Sequence, residues 1–260
     1  FVSDFLSLIT KEVSAFEIED VNFIHLNMVK RSDVDLLIKR MIDFIGAIFG
    51  LLIFSPFIIV GLLGILISDG WPVVYPWRVV GINKKPFTGW KIRTMVKDAD
   101  KLKEKLLDQN EMDGPVFKIE DDPRILSFGR WLRKYSIDET LQFISVLKGD
   151  MSFIGFRAPS IDKSEGKIIK EVKRDPLWQD IVSSRPGLTG LGSALHYLNP
   201  KKVSKILKKH NIDAKQNNLI DVLNVFYSRN PSFILDLKII YWTILVELRG
   251  ITLLFKKNKK

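Results

Sequence analysis

Phe44–Ser68 reads FIGAIFGLLIFSPFIIVGLLGILIS, a run without a single charged residue. About 20 apolar residues suffice for a helix to cross the hydrocarbon core of a bilayer. This run is longer than that, and more uniformly apolar than the buried helix of an ordinary soluble domain. Two membrane readings compete: a spanning helix, or a segment that enters and leaves on the same side. Ser55-Pro56, at the middle of the run, favours the second. Proline removes a backbone hydrogen bond and crowds the preceding turn, and a serine hydroxyl can satisfy the carbonyl so freed. The flanks agree, because Lys30, Arg31, Lys39 and Arg40 precede the run and a strongly basic region follows it. Basic segments prefer the cytoplasmic side. The expectation is a re-entrant helical hairpin over residues 39–75, bent at Ser55 and Pro56 and in contact with membrane lipid.

Over the whole chain of 260 residues, 46% are hydrophobic and 27% charged, which fits neither a disordered chain nor a polytopic membrane protein. There is no cysteine and only His25, His196 and His210, which excludes disulfides, thiolate zinc sites, cysteine nucleophiles and multi-histidine metal centres. Carboxylates, hydroxyls, Lys and Arg remain for chemistry. The net charge of +10 is concentrated in residues 78–260, which hold 35 basic and 21 acidic residues. An anionic partner follows from that excess. Residues 1–38 read as a linker or the remnant of an upstream module, with a strand around Val21–Met28. Residues 76–260 read as a cytosolic domain with short helices over Val96–Gln109, Ile125–Leu132, Glu139–Leu147 and Ile168–Lys173. Phe233–Phe255 is apolar but interrupted by Asp236, Lys238, Glu247 and Arg249. It is expected to lie as an amphipathic helix on the core or in the interface, with the KKNKK tail adding attraction to anionic lipid.

Ser136-Ile137-Asp138-Glu139 precedes the periodic segment TLQFISVL. Ser-x-x-Glu has the spacing of a capping box, Ser136 at the N-cap and Glu139 at the third helical position. The same placement puts two adjacent carboxylates at a helix start, where Asp138 is expected to stay ionised as a nucleophile or Mg²⁺ ligand. Mutual repulsion should raise the pKa of one of the two, as general acid/base work requires. Spacing leaves the structural and chemical readings open. Arg130, Arg133 and Lys134 lie just upstream, and Arg157 and Arg185 sit in two Gly- and Pro-containing loops where a guanidinium can grip a phosphate in bidentate fashion. Glu120-Asp121-Asp122-Pro123 reads as an acidic turn. No P-loop, G-x-G-x-x-G or Gly-x-Ser-x-Gly is present.

The order KRMIDFIGAIFGLLIFSPF, Lys84-Lys85-Pro86-Phe87, KIRTM (91–95), DDPRI, GRWLRKYSIDE, LKGDMSFIGFRAP, RPGLTG and YSRNPSFILDLKI resembles the bacterial sugar transferase family, the monotopic phosphoglycosyl transferases, over roughly Lys39–Thr243. The resemblance implies a helix-dominated α+β fold: a re-entrant membrane helical hairpin, interfacial amphipathic helices and a small cytosolic catalytic domain. It implies transfer of a sugar 1-phosphate from a nucleotide sugar, UDP-linked in the usual case, to polyprenyl (undecaprenyl) phosphate. The first membrane step of polysaccharide or glycoconjugate synthesis would then take place at the cytoplasmic face of the bacterial inner membrane. The catalytic dyad is implied at Asp138 and Glu139, with Asp138 as covalent nucleophile and both as Mg²⁺ ligands. Phosphate and substrate contacts are implied at Lys91, Arg93, Arg133, Arg157 and Arg185. A homo-oligomer is left open, and no nucleic-acid partner is expected. Departures from the family pattern occur at Trp77, Val79, Ile92, Phe156 and Ala158. Two alternatives share the acidic cluster or the charge: a basic membrane-surface scaffold without catalysis, and a membrane-tethered phosphohydrolase.

Overall fold

The computed structural model describes residues 13–18, 21–26, 31–99, 101–102, 106, 119, 121–157, 177–192, 194 and 219–257. The chain opens with an antiparallel pair, β1 (Val13–Ile18) and β2 (Val21–Leu26). The apolar run then forms a single helix, α1 (Asp33–Asp69), of 37 residues. At 1.5 Å per residue that is about 55 Å. The Ser32 hydroxyl accepts from the Asp35 N–H at its start, and Gly70, with φ of 70°, ends it by returning its N–H to Leu66.

Helical hydrogen bonding continues through Ser55-Pro56, where the helical hairpin was expected to bend. The Ser55 hydroxyl donates to the Leu52 carbonyl at 2.7 Å, the acceptor that Pro56, lacking an N–H, leaves unserved. The helix therefore loses one backbone hydrogen bond without leaving an orphan carbonyl. α1 starts at Asp33, ahead of the boundary expected at residue 38, and the next strand starts at Val74.

α1 is packed along one stripe. Asp43, Ala47, Ile58, Gly61 and Ile65 are buried, while Phe44, Phe49, Leu52, Ile53, Ile59 and Leu63 are exposed. The glycines let aromatic rings settle on the backbone: a Cβ at Gly46, Gly50 or Gly64 would stand 2.8, 2.9 or 2.0 Å from Phe153, Phe143 or Phe128. By length and composition α1 is able to cross a membrane, and among the described residues no other helix is.

The layer beneath begins with an antiparallel hairpin, β3 (Val74–Val80) and β4 (Pro86–Ile92), in register Trp77↔Gly89 and Tyr75↔Lys91. Helix α2 (Ser127–Lys134) follows, pressed so close to the end of β4 that a Cβ on Gly129 would meet the Thr94 carbonyl at 2.2 Å. A short 3-10 turn, Ile137–Glu139, leads into α3 (Gln142–Lys148), which packs on α1 and β4. Gly149, at φ of 88°, turns the chain out of α3. β5 (Ser152–Ile154) pairs in parallel with β6 (Gly187–Thr189). Gly155 is needed for this crossing, since a Cβ there would meet the Arg185 carbonyl at 2.1 Å.

Helices α4 (Leu177–Ile181), α5 (Leu219–Arg229) and α6 (Phe233–Lys257) follow. Ile154, Leu223, Phe226, Leu235, Ile239 and Trp242 form one core cluster. The opposite side of α6, with Phe233, Ile234, Leu237, Tyr241 and Ile244, is exposed. α6 is tied to α1 by a buried charge cluster in which Asp236 accepts from Arg31, Lys39 and the Tyr227 hydroxyl. The helix expected over Ile168–Lys173 lies outside the described residues, and so does half of that over Val96–Gln109. Fold class agrees with expectation at the level of a helix-rich α+β chain with small sheets.

Candidate active site

The strand β4 and the two segments that follow it bring together residues far apart in sequence. The backbone leaves α2 through Ser136, which is left-handed (φ 54°, ψ 22°) and makes no side-chain capping bond. The capping box expected from Ser-x-x-Glu is therefore not formed. α2 and the next turn are too close for an extended N-cap, and Ser136 instead makes the reversal between them. Asp138 and Glu139 occupy the 3-10 turn, ahead of α3 rather than within its first turn.

The two carboxylates differ in setting. Asp138 is 8% exposed, whereas the Glu139 side chain is 46% exposed and is paired with the Lys91 ammonium, Nζ to Oε1 2.7 Å. Lys91 also lies over the Trp77 ring, 4.2 Å from its centroid. Burial, then the neighbouring Glu139 charge, raise the Asp138 carboxyl above its usual range, with Lys91 and Arg133 opposing. Burial acts on Glu139 in the same sense, but Lys91, through charge and hydrogen bond, and then Arg157 outweigh it and hold Glu139 below the ordinary value. One member of the dyad is raised, as repulsion predicts. It is Asp138, chiefly through burial, while the Lys91 ion pair falls on Glu139.

The five cations proposed from sequence separate into two groups. Lys91, Arg133 and Arg157 act on the dyad. Arg133 is oriented by its Nε–H donating to the Thr94 hydroxyl at 2.7 Å, and desolvation by burial lowers its own pKa. Arg93 is not available to a ligand. Its Nε donates to Pro72, one Nη to the Asp69 carboxylate and Met95, the other to the carbonyls of Asp69 and Gly70. A guanidinium has five N–H donors, and all are spent on closing the C-terminal end of α1. The phosphate-binding expectation for Arg93 is thus corrected. Arg185 is placed at the far end of α3, where its Nε donates to the Gly149 carbonyl at 2.8 Å. Arg40 donates to Val146 and Leu147 at the same end.

Thr94 and Gln142 complete the surroundings of the dyad. Gln142 escaped sequence reading although it stands three positions after Glu139, a spacing that places side chains on one helical face. The acidic turn before Pro123 is not a spare cation site, since Asp122 is buried in an ion pair with Arg124. Among the described residues no group of three or more His, Cys, Asp or Glu comes together. Asp138 and Glu139 supply adjacent carboxylate oxygens in one turn. Two carboxylates completed by water and substrate oxygens are the usual donor set for Mg²⁺, so the residues fit that ion.

The model of the bacterial sugar transferase family matches residues 34–250. The chain is similar to the galactosyl transferase CpsE of Streptococcus agalactiae, 36% identical over 240 residues that cover 92% of this chain and 48% of that protein. It is similar also to an undecaprenyl-phosphate glucose phosphotransferase of Komagataeibacter xylinus, 28% identical over 93% of this chain and 42% of that one. An undecaprenyl-phosphate galactose phosphotransferase of Salmonella typhimurium is 36% identical over 64% of this chain and 33% of its own. The chain thus spans half or less of the length of these relatives. With the match running from the first turn of α1 into α6 and enclosing the dyad, the chain belongs to the bacterial sugar transferase family.

Proposed function

We propose that this chain transfers a sugar 1-phosphate from a UDP-sugar to polyprenyl phosphate at the cytoplasmic face of a bacterial membrane, by way of a covalent phosphosugar on Asp138. The observation that carries the reading is the pairing of a buried Asp138 with a cation-held Glu139, ringed by Lys91, Arg133 and Arg157. The names of the two undecaprenyl-phosphate phosphotransferase relatives support the acceptor class.

The obstacle to such a transfer is charge, since a carboxylate must approach a diphosphate. Arg157 and Arg133 offset the phosphate charge, and Lys91 keeps Glu139 ionised. An Asp138 carboxylate oxygen attacks the sugar-bearing phosphorus. The bond from that phosphorus to the bridging oxygen breaks, and UMP leaves with that oxygen and the electron pair. In the second step an oxygen of polyprenyl phosphate attacks the same phosphorus and returns Asp138 as a free carboxylate, giving polyprenyl diphospho-sugar. Each step admits one partner, so a single site serves a soluble and a lipid substrate. Mg²⁺, held by Asp138 and Glu139 together with substrate oxygens, would supply further charge neutralisation.

The monotopic, re-entrant topology belongs to the same proposal. α1 touches the layer beneath it from Arg40, through Gly46 and Gly50, to Gly64. A helix crossing the bilayer would drag that layer, with its arginines, into hydrocarbon. In this proposal α1 bends at Ser55-Pro56, where it already lacks one backbone hydrogen bond, so that both its ends and the dyad stay on the cytoplasmic side near the acceptor's phosphate.

The test is a panel of UDP-sugars given to purified full chain with Mg²⁺ and undecaprenyl phosphate, read by UMP release and labelled lipid. Asp138→Asn should lower turnover at least about a thousandfold with the fold retained. Intact mass after donor alone should show a phosphosugar adduct mapping to Asp138. Labelled lipid without a trapped adduct would leave transfer standing and sink the covalent step. Release of free sugar phosphate without labelled lipid would favour the phosphohydrolase, and no turnover with any donor the scaffold.

A further inference from the structure

In an antiparallel ladder, directly opposed residues and their diagonal neighbours stand on one face of the sheet. The register Tyr75↔Lys91 and Trp77↔Gly89 therefore places Trp77 diagonally opposite Lys91. Gly89 leaves its place on that face free of a side chain, and the Trp77 ring lies there: a Cβ on Gly89 would stand 3.3 Å from it. The indole also packs against two core clusters, one holding Val79 and Phe156, the other Val146 and Met151. A ring held from several sides is a fixed platform. The Lys91 ammonium sits over it, 4.2 Å from the centroid, and pairs with Glu139 Oε1 at 2.7 Å.

We propose that Trp77 is a positioning residue for the dyad: its ring fixes the Lys91 ammonium against Glu139, and it acts on the reaction only through that lysine. The proposal rests on the transferase reading above and adds to it what holds the lysine in place. A lysine is a flexible stem ending in a point charge, and a bound diphosphate competes with Glu139 for it. An aromatic face attracts the ammonium electrostatically and claims no single N–H, so all three donors stay available to oxygens. A cation set in place before reaction needs no reorganisation during it. Trp77 is one of the positions at which the chain departs from the family pattern. The charges acting on the dyad from outside are Lys91 of β4, Arg133 of α2 and Arg157 after β5. The part of α1 packed on the same turn belongs to the charge-free run. Lys91 draws the Asp138 carboxyl downward. An ammonium loosed from the ring spends less time beside the dyad, so Asp138 holds its proton to higher pH and the rate falls on the acid side.

The test pairs Trp77→Met, which removes the ring, with Trp77→Phe, which keeps a ring face, each in the full chain in detergent with the active UDP-sugar and undecaprenyl phosphate. The acid limb of UMP release, scaled to each variant's own plateau, should move up by about half a pH unit in Trp77→Met. Below the limb that is a loss of about threefold relative to the plateau. Trp77→Phe should hold the limb near its original place. Both variants lose packing and should melt lower, so the midpoint does not report the proposed role and the limb does. Acylation of the Lys91 amine, followed by peptide mass spectrometry, should be faster in Trp77→Met than in the unaltered chain. In a Lys91→Met background, Trp77→Met should add no shift. Equal limbs in Trp77→Met and Trp77→Phe overturn the proposal, as does an unchanged Lys91 acylation rate. A Trp77→Met shift that persists without Lys91 also overturns it, because the ring would act by another route. Should Trp77→Met fail to fold, Trp77→Gln, likewise without a ring, carries the same readings. Asp138→Asn is run in parallel: turnover in that variant sinks the transferase mechanism and this proposal with it. An inactive Asp138→Asn beside an unmoved limb in Trp77→Met overturns the Trp77 proposal alone.

Discussion

Two regions of this molecule are equally rich in cations and do opposite things. Around the dyad, Lys91, Arg133 and Arg157 face carboxylates. At the C-terminal ends of α1 and α3, Arg93, Arg40 and Arg185 face backbone carbonyls. The last carbonyls of any helix lack intrahelical partners and carry partial negative charge, so they absorb guanidinium groups as readily as a phosphate would. An arginine in a turn-rich basic segment is therefore ambiguous by residue type. What separates the two regions is what the cations face, carboxylates of the dyad in one and the ends of helices in the other.

The comparison is broken most severely by Arg93→Met. Removing one partner of a buried charge pair leaves the Asp69 carboxylate and several carbonyls uncompensated, a loss of about 3–5 kcal/mol. A large drop in thermal midpoint is expected, measured by unfolding in detergent, with activity per folded molecule nearly kept. Activity lost without a change in midpoint would return Arg93 to the phosphate site.

Arg157→Lys reads the other region. Lysine keeps the charge and loses the planar fork. A loss of one charge-assisted hydrogen bond, about 1.5–3 kcal/mol, should appear in kcat/KM with the midpoint unmoved. Arg185→Lys should show a smaller kinetic loss and a lowered midpoint. Equal kinetic losses at both positions would erase the distinction.

The smallest effect is a shift of pH profile. Asp138 must lose its proton to attack, so the rate rises with pH through its pKa. Lys91 pulls that pKa down, hence Lys91→Met should move the acid limb of the UMP-release profile to higher pH and cost more activity at low pH than at high. A limb displaced to lower pH, or unmoved, would remove Lys91 from the electrostatics of the dyad.

The helix over the apolar run was legible in the sequence, because length and the absence of charge depend on no partner. The family and the two carboxylates were legible as well, the latter as adjacent residues that share one turn in any helical conformation. Helix ends were read to within a few residues, with α2 at Ser127–Lys134 against Ile125–Leu132 and α3 at Gln142–Lys148 against Glu139–Leu147. Tertiary structure decided the rest. Ser136 became a left-handed turn because of how closely α2 and the 3-10 turn follow one another. Asp138 took the raised pKa because it is buried, while Lys91, arriving from β4, a strand 48 positions earlier, holds Glu139 down. Arg93 is held away from the dyad because the end of α1 lies beside it. Spacing along a chain records which side chains share a local face. Which hydrogen-bond donors remain unspent depends on what the other elements bring to that face, and that is a property of packing.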